Sequence, residues 1–422
     1  MNRIKHKSRL LLHYFFLFLI ASNFLFGQKI FETFDLERKH RYTGTTHYEF
    51  DINTAKPLRL VIDHIQGDIF INGTNSMSIT IEEKITIRSR SRNTAEEKFE
   101  QYRAGIVHHR NRNTVEVTGA GQWPSRMNYS YHLSVPSNIS ILAHTSGGDI
   151  DVSIITGEMD LKTSGGDIDL EYLEGKLTGN TSGGDIRLDH GIGNIYLSTS
   201  GGDVDINDVE GKLNLHTSGG NIEIKNSRGN VNSTTSGGNI YLRSISGNRI
   251  EGRTSGGNIH ANEITGKLVI VTSGGDLTME DIRGSVRGNT SGGDIDIDNV
   301  TGNVDVTTSG GSIHGERIQS GIFAKTSAGN IYIEKSRLRM GEDYSIDLKT
   351  SSGDIYLSVP DGISATIDAL IQNGENHYAI DSEFPLTIIK KHNDVEAYGT
   401  IGDGEHSIKL RNAYGHITIE RN

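Results

Sequence analysis

The tetrad Thr-Ser-Gly-Gly begins at Thr145, Thr163, Thr181, Thr199, Thr217, Thr235, Thr254, Thr272, Thr290 and Thr308, and returns altered as Thr-Ser-Ala-Gly at Thr326 and Thr-Ser-Ser-Gly at Thr350. The intervals are 18 residues, apart from 19 between Thr235 and Thr254 and 24 between Thr326 and Thr350. A period held this long means that one small unit is being stacked, since so short a unit has no core of its own. With Thr as position 1, position 6 is held by Ile150, Ile168, Ile186, Val204, Ile222, Ile240, Ile259, Leu277, Ile295 and Ile313. Position 8 follows with residues such as Val152, Leu170, Ile206 and Ile297. Apolar, often branched residues two apart define a short strand with one buried face. A second pair falls at position 15 (Leu177, Ile195, Leu213, Val231) and position 17. No window of the repeat has a helical period.

Strands this short must take hydrogen bonds from the equivalent strand one repeat along. The pattern therefore predicts an all-β, single-stranded β-solenoid with 18-residue coils about 4.8 Å apart, so that residues 145–330 span roughly 50 Å. Glycines near position 13, such as Gly157, Gly175 and Gly193, and the pair at positions 3 and 4 mark two corners. Position 17 alternates between large residues, as at Leu197, and small ones, as at Gly179. That variation suits a narrow core of interdigitating layers. The extra residue between Gly247 and Ile250 reads as a bulge, because phase is restored at Thr254. Eighteen residues would also make three hexapeptides, but the apolar positions 6, 8, 11, 15 and 17 do not recur every six. With 51 Gly, 34% hydrophobic residues and 1 Trp, few large side chains are shared among many thin layers.

The flanks differ. Arg3, Lys5, Lys7 and Arg9 precede a nearly continuous apolar run at 10–26, the form of a secretory signal peptide covering 1–27. Its removal takes four basic and no acidic residues, changing the net charge from −11 to −15. The mature chain then has no further apolar span. Residues 28–140 read as a β-rich head or cap with strands near 58–62, 79–87 and 129–135. Thr94 followed by Glu97 has the form of a capping box opening one short helix, with Ala95, Phe99 and Tyr102 on one face. The repeat array fills 141–352. Residues 353–422 continue and cap it, with strands at 358–360, 365–371, 386–389 and 407–410 and turns at Gly399, Gly402 and Gly404.

Three stretches, Tyr131-His-Leu-Ser-Val-Pro136 before the first tetrad, Gly353-Asp-Ile-Tyr-Leu-Ser-Val-Pro360 and the closing Gly415-His-Ile-Thr-Ile419, accompany the tandem Thr-Ser-Gly-Gly-Asp/Asn-Ile units. Together they resemble the family of exported bacterial β-helical proteins known as DUF4097, whose members carry the name "putative adhesin". The resemblance covers most of the mature chain and implies a right-handed β-helix. It brings no catalytic set with it, because the motif residues are structural.

The most conspicuous polar column is position 5: Asp149, Asp167, Asp185, Asp203, Asn221, Asn239, Asn258, Asp276, Asp294 and Ser312. A calcium rail is one reading, since carboxylates are hard-cation ligands. Bracing of the Gly-Gly corner by bonds to local amides is the other, and it accommodates Asn as readily as Asp. The second is preferred, with the carboxylates of position 7 (Asp151, Asp169, Asp205, Asp296) adding a surface that holds calcium at most weakly. A carboxylate ladder also supplies many pairs at glycosidase spacing, so the alternative function is a polysaccharide-active lyase or glycoside hydrolase. Against it, residues 145–330 show neither long loops nor grouped aromatics. His190, His260 and His314 read as solvated residues at different positions of their coils, and the repeated Ser has no paired His. Catalytic, cofactor-binding and metal-ligating residues are therefore each expected to be none. Zero Cys excludes disulfides and thiolate chemistry, and the acidic balance argues against nucleic acid as a partner. The expectation is a noncatalytic, adhesin-like or envelope-scaffold protein without a cofactor, exported to the periplasm, cell surface or medium. Its partner would be an envelope component, glycan or protein.

Overall fold

The computed structural model describes residues 29–53, 56–336, 343–373 and 379–422; the expected signal peptide lies outside the described residues. They fall into two compact units, one ending at Thr199 and one beginning at Ser200. Both are β-solenoids in character, and the one helix among the described residues is α1, Arg92–Tyr102.

In the first unit, Arg41–Asp51, Ser78–Arg88 and Met127–Pro136 form an antiparallel sheet edged by Lys29–Arg38. Alternation along Ser78–Arg88 turns Ile79, Ile81, Ile85 and Ile87 inward. Helix α1 buries Ala95 and Phe99. A Cβ at Gly44 on the neighbouring strand would stand 2.3 Å from Cε2 of Phe99, so the missing side chain admits the ring. The capping box expected at Thr94 is not formed: α1 follows Ser91, three residues earlier, and no side chain caps it. Thr94 therefore sits inside the first turn, where its hydroxyl is past the position that reaches the free amides.

Parallel stacking begins ahead of the first tetrad. Asp68–Thr74 pairs with Met127–Pro136 on one side and with Ile150–Lys162 on the other. Then Ile150–Lys162, Ile168–Asn180 and Ile186–Ser198 stack in register, placing Ile150, Ile168 and Ile186 in one column. The second unit continues the same rule with Ile222 beside Ile240, Ile240 beside Ile259, and Leu277 beside Ile295. The apolar residues of positions 6, 8, 11 and 15 are buried in coil after coil. At position 17, Leu197 fills the space over Gly179, where a Cβ would stand 2.7 Å from its Cδ2. The 19-residue coil carries its extra residue as a register shift between Ser246 and Arg249.

Two details of the coil differ from the sequence expectation. A third corner lies at position 10, where Ile154, Tyr172, His190, Asp208, Asn226, Ser244, Glu263, Asp281, Asn299 and Arg317 all have φ of 51–58°. The bend was not marked by glycine, and only the Asn and Asp members have the side chain that suits this region. The tetrad's two glycines are also unequal. At position 4 a Cβ would stand about 2 Å from the glycine carbonyl one coil back, as at Gly238 against Gly220 O, 1.9 Å. At position 3 the nearest atom is at ordinary contact distance, 3.5 Å for Gly237. The altered tetrads follow this difference, with Ala328 and Ser352 at position 3 but Gly329 and Gly353 at position 4.

The threonine that opens each tetrad is buried, and its hydroxyl donates to the position-4 carbonyl of the preceding coil at 2.7–2.9 Å, from Thr145 through Thr350. Each tetrad thus ties two layers together at the corner where strand pairing is interrupted. At the C-terminal end, Ile355–Val359 pairs with Ile417–Arg421, and Ile346–Lys349 with His406–Asn412. The direction then changes: Ala365–Ile371 is antiparallel to Asp394–Ile401, which is antiparallel to Thr387–Lys391. Gly399, expected in a turn, lies inside Asp394–Ile401, where a Cβ would stand 2.7 Å from Cδ2 of Leu386. Gly402 and Gly404 do turn, with φ of 59° and 72°.

Candidate functional site on the acidic and aromatic columns

Positions 5, 7 and 9 of each coil point outward from one side, alternating with the buried residues of positions 6 and 8. In position 5 the side-chain oxygen of one coil accepts the backbone N–H of the same position one coil on. Asp149 accepts from Asp167 at 2.9 Å and Asp167 from Asp185 at 2.8 Å. In the second unit the chain of bonds runs from Asp203 through Asn221, Asn239, Asn258, Asp276 and Asp294 to Ser312, at 2.6–2.9 Å. The expected bond to an amide of the same corner is corrected: the partner lies in the next layer. Asp, Asn and Ser all offer an oxygen there, which explains their exchange within one column. The ladder reaches Asp68, ahead of the first tetrad, beneath Asp149, and it includes the altered tetrads, with Asp354 above Asn330.

A direct check is available at Asn239. Asn239→Asp keeps the acceptor and is expected to hold stability within about 0.5 kcal/mol, whereas Asn239→Ala leaves the Asn258 N–H without it and costs about 1–2 kcal/mol. Equal urea midpoints for the two variants would remove the bracing role.

Position 7 carries the rings. Tyr241 and His260 stack with centroids 5.3 Å apart, His314 and Tyr332 at 4.7 Å, and Tyr332 and Tyr356 at 4.6 Å. Two expectations are corrected here. Aromatics are grouped after all, because residues one coil apart in sequence become neighbours. His260 and His314 share position 7, whereas His190 sits at the position-10 corner, stacked on Tyr172 at 4.6 Å. Interplanar angles of 1–11° in the position-7 stacks mean that the rings cover one another's faces along the column. A face covered in this way is not open to a sugar.

Between Thr278 and His314 lies a shallow depression lined by Glu280, Asp296, Asp298 and Glu316. His314 Nε2 is 3.0 Å from Glu316 Oε1, and Asn262 donates to Glu280 at 2.9 Å. Asp298 pairs with Arg317. Burial raises the Asp296 carboxyl above its ordinary range, with Asp294 and Asp276 adding to the effect and His314 opposing it. In the first unit Asp151 is pushed up to about 6, first by burial and then by Asp169, Asp149 and Asp68. These carboxylates stand in regular columns on an open sheet. No group of three or more metal-ligating side chains converges among the described residues.

Two ionisable residues passed over in the sequence are buried away from this face. Glu83 occupies the inward register of Ile81 and Ile85, where Oε1 accepts the Ala104 N–H at 2.6 Å as the chain leaves α1. Burial raises it to about 7. Lys335 occupies the inward register of Ile331 and Ile333, bonds the Ser320 carbonyl and stands 5.3 Å from the Tyr344 ring centroid. Burial lowers it to about 7, against the pull of Asp343. Each closes a local backbone bond, and neither reaches the position-7 face.

No curated protein matches this chain. Three crystal structures are similar: a "putative cell adhesion protein" from Clostridium sporogenes, 10% identical over 90% of this chain and 99% of that one with a TM-score of 0.18; a "putative adhesin" from Parabacteroides merdae, 11% identical over 74% and 95% with a TM-score of 0.19; and another from Bacteroides fragilis, 14% identical over 74% and 96% with a TM-score of 0.18. A family model matches twice, over residues 58–263 and 229–420, so its matches start where the first parallel strands start. With the tetrad corners, the stacked coils and these two matches in hand, the chain belongs to the Toastrack DUF4097 family.

Proposed function

We propose that this is a noncatalytic, exported, adhesin-like or envelope-scaffold protein that recognises its partner through the repeated outward columns of its coils. The observation that carries the reading is the in-register stacking of positions 5, 7 and 9 on one outward side. Their ladder bonds and ring stacks hold equivalent side chains in register coil after coil, with no enclosed reaction chamber around any one of them. Several weak contacts then act together when a partner spans several coils. The basic and apolar start of the chain supports export, and no helix among the described residues is long and apolar enough to cross a membrane. The position-5 oxygens are engaged in bracing, so calcium is expected to shift the melting temperature little. No cofactor is invoked.

A panel of glycans and envelope components, probed with the purified protein, tests this directly. Removal of residues 254–289, two whole coils, is expected to weaken capture by about tenfold while folding is retained. Undiminished capture would place recognition elsewhere in the chain. Reproducible glycan cleavage, abolished by Asp296→Asn in a folded protein, would replace the proposal with the polysaccharide-active alternative.

A further inference from the structure

The outward columns of the second unit are sorted by charge. In the coils of residues 200–349, positions 5, 7 and 9 carry ten carboxylates against Lys225 and Arg243, a net −8. Positions 14, 16 and 18 of the same coils carry seven basic side chains against Glu251, Asp305 and Asp347, a net +4. Positions 10 and 12 between them carry four acidic groups and three exposed basic ones, besides the buried Lys335. Strand pairing leaves like charges adjacent within each face: Asp298 lies between Glu280 and Glu316, with Asp296 two residues along on the same side, and Lys325 lies opposite Lys349. Lys267, Lys325 and Lys349 are exposed, as are Asp294 and Asp296.

Like charges one coil apart repel; Arg317 on Asp298, Lys225 on Glu223 and Arg287 on Asp305 relieve part of this within the chain, and each face keeps its net charge. A surface of opposite sign with the same repeat relieves the repulsion that remains wherever charged layers coincide, and the chain itself supplies such a surface. We propose that these two faces form a heterologous docking interface between copies of this protein, the acidic columns of one copy lying against the basic columns of the next. Because both faces repeat at the same coil spacing, one pair in register aligns the others wherever charged layers coincide, and carboxylates stand on the acidic face in each of the four coils that begin at Thr272, Thr290, Thr308 and Thr326. A contact between two different faces leaves one of each unused at the ends, so association extends beyond a dimer unless rotation closes a ring. Charge complementarity of this kind sets partner choice and encounter rate, and it weakens with salt. Screening shortens from about 20 Å at ~20 mM salt to about 4 Å at ~500 mM.

Sedimentation velocity of the purified protein tests this. At about 20 mM salt the mean mass should rise with concentration, and at about 500 mM it should fall to that of the monomer, a loss of affinity of at least about tenfold. Two triple variants give the decisive arm. One neutralises the acidic face with Asp294→Asn, Asp296→Asn and Asp298→Asn, the first of which keeps its ladder oxygen. The other neutralises the basic face with Lys267→Gln, Lys325→Gln and Lys349→Gln. Each alone should sediment as a monomer, while their mixture should form a 1:1 complex, because each retains the face that the other has lost. Unchanged melting temperatures establish that both variants are folded. A wild-type monomer at low salt up to about 100 μM would overturn the proposal, including the case in which polyaspartate binds the lysine face instead. So would association that survives high salt, association of either variant alone, or failure of the mixture to pair.

Discussion

Gly238→Ala is expected to destabilise the second unit by about 3 kcal/mol or more, while Gly237→Ala, one residue earlier, leaves stability unchanged or raises it by about 0.5 kcal/mol. At Gly238 the new methyl would stand 1.9 Å from the Gly220 carbonyl oxygen. That neighbour is backbone, so only separation of the two coils makes room. Separation would strain the bonds that meet at this corner: Gly238 N–H to the Thr235 hydroxyl at 3.3 Å and the Thr254 hydroxyl to Gly238 O at 2.9 Å. At Gly237 the nearest atom is 3.5 Å away, and the alanine chiefly restricts the unfolded chain. Urea unfolding of both variants decides the matter. Equal destabilisation would mean that the tetrad glycines act by backbone freedom alone, and not by close approach of one layer to the next.

How far the sequence could be read depended on whether a feature repeats as a residue type or only as a geometry. The tetrad, the branched residues of positions 6 and 8, and the position-17 alternation each repeat as types, and they led directly to 18-residue coils. The position-10 corner repeats only as a φ value, carried by ten residues from Ile154 to Arg317 with no common side chain. No compositional signal marks it. The threonine hydroxyls were visible as a column but not as donors, because the acceptor belongs to the preceding coil. For the same reason the position-5 bond was assigned to its own corner. Other features were legible and passed over. Counting from each Thr puts His260 and His314 both at position 7, and period-two counting puts Glu83 and Lys335 among the inward residues of their strands. The acidic and basic faces required both kinds of information, since position number sorts the charges but only the bends at positions 4, 10 and 13 turn those positions into separate sides.

Ile222→Asp is expected to cost on the order of 5 kcal/mol, the largest effect of any single substitution considered. Ile222 is fully buried, and strand pairing sets it between Val204 and Ile240, both also fully buried. Loss of the Ile side chain removes about 3 kcal/mol of burial and packing, and the carboxyl group enters a layer whose polar backbone groups are already paired in the ladder. Protonation lowers that penalty without abolishing it, so stability should recover in part on acidification: the folded-state pKa of the new Asp is raised, and its cost is smallest below its unfolded value near 4. Coils interact with their immediate neighbours, so the damage should spread from this layer to those on either side before it reaches the ends. Hydrogen exchange should then quicken first at the amides of Ile222–Lys225 and Ile240–Arg253. Unchanged exchange there, together with an unaltered unfolding midpoint, would place position 6 outside the core and dismantle the solenoid reading of the repeat.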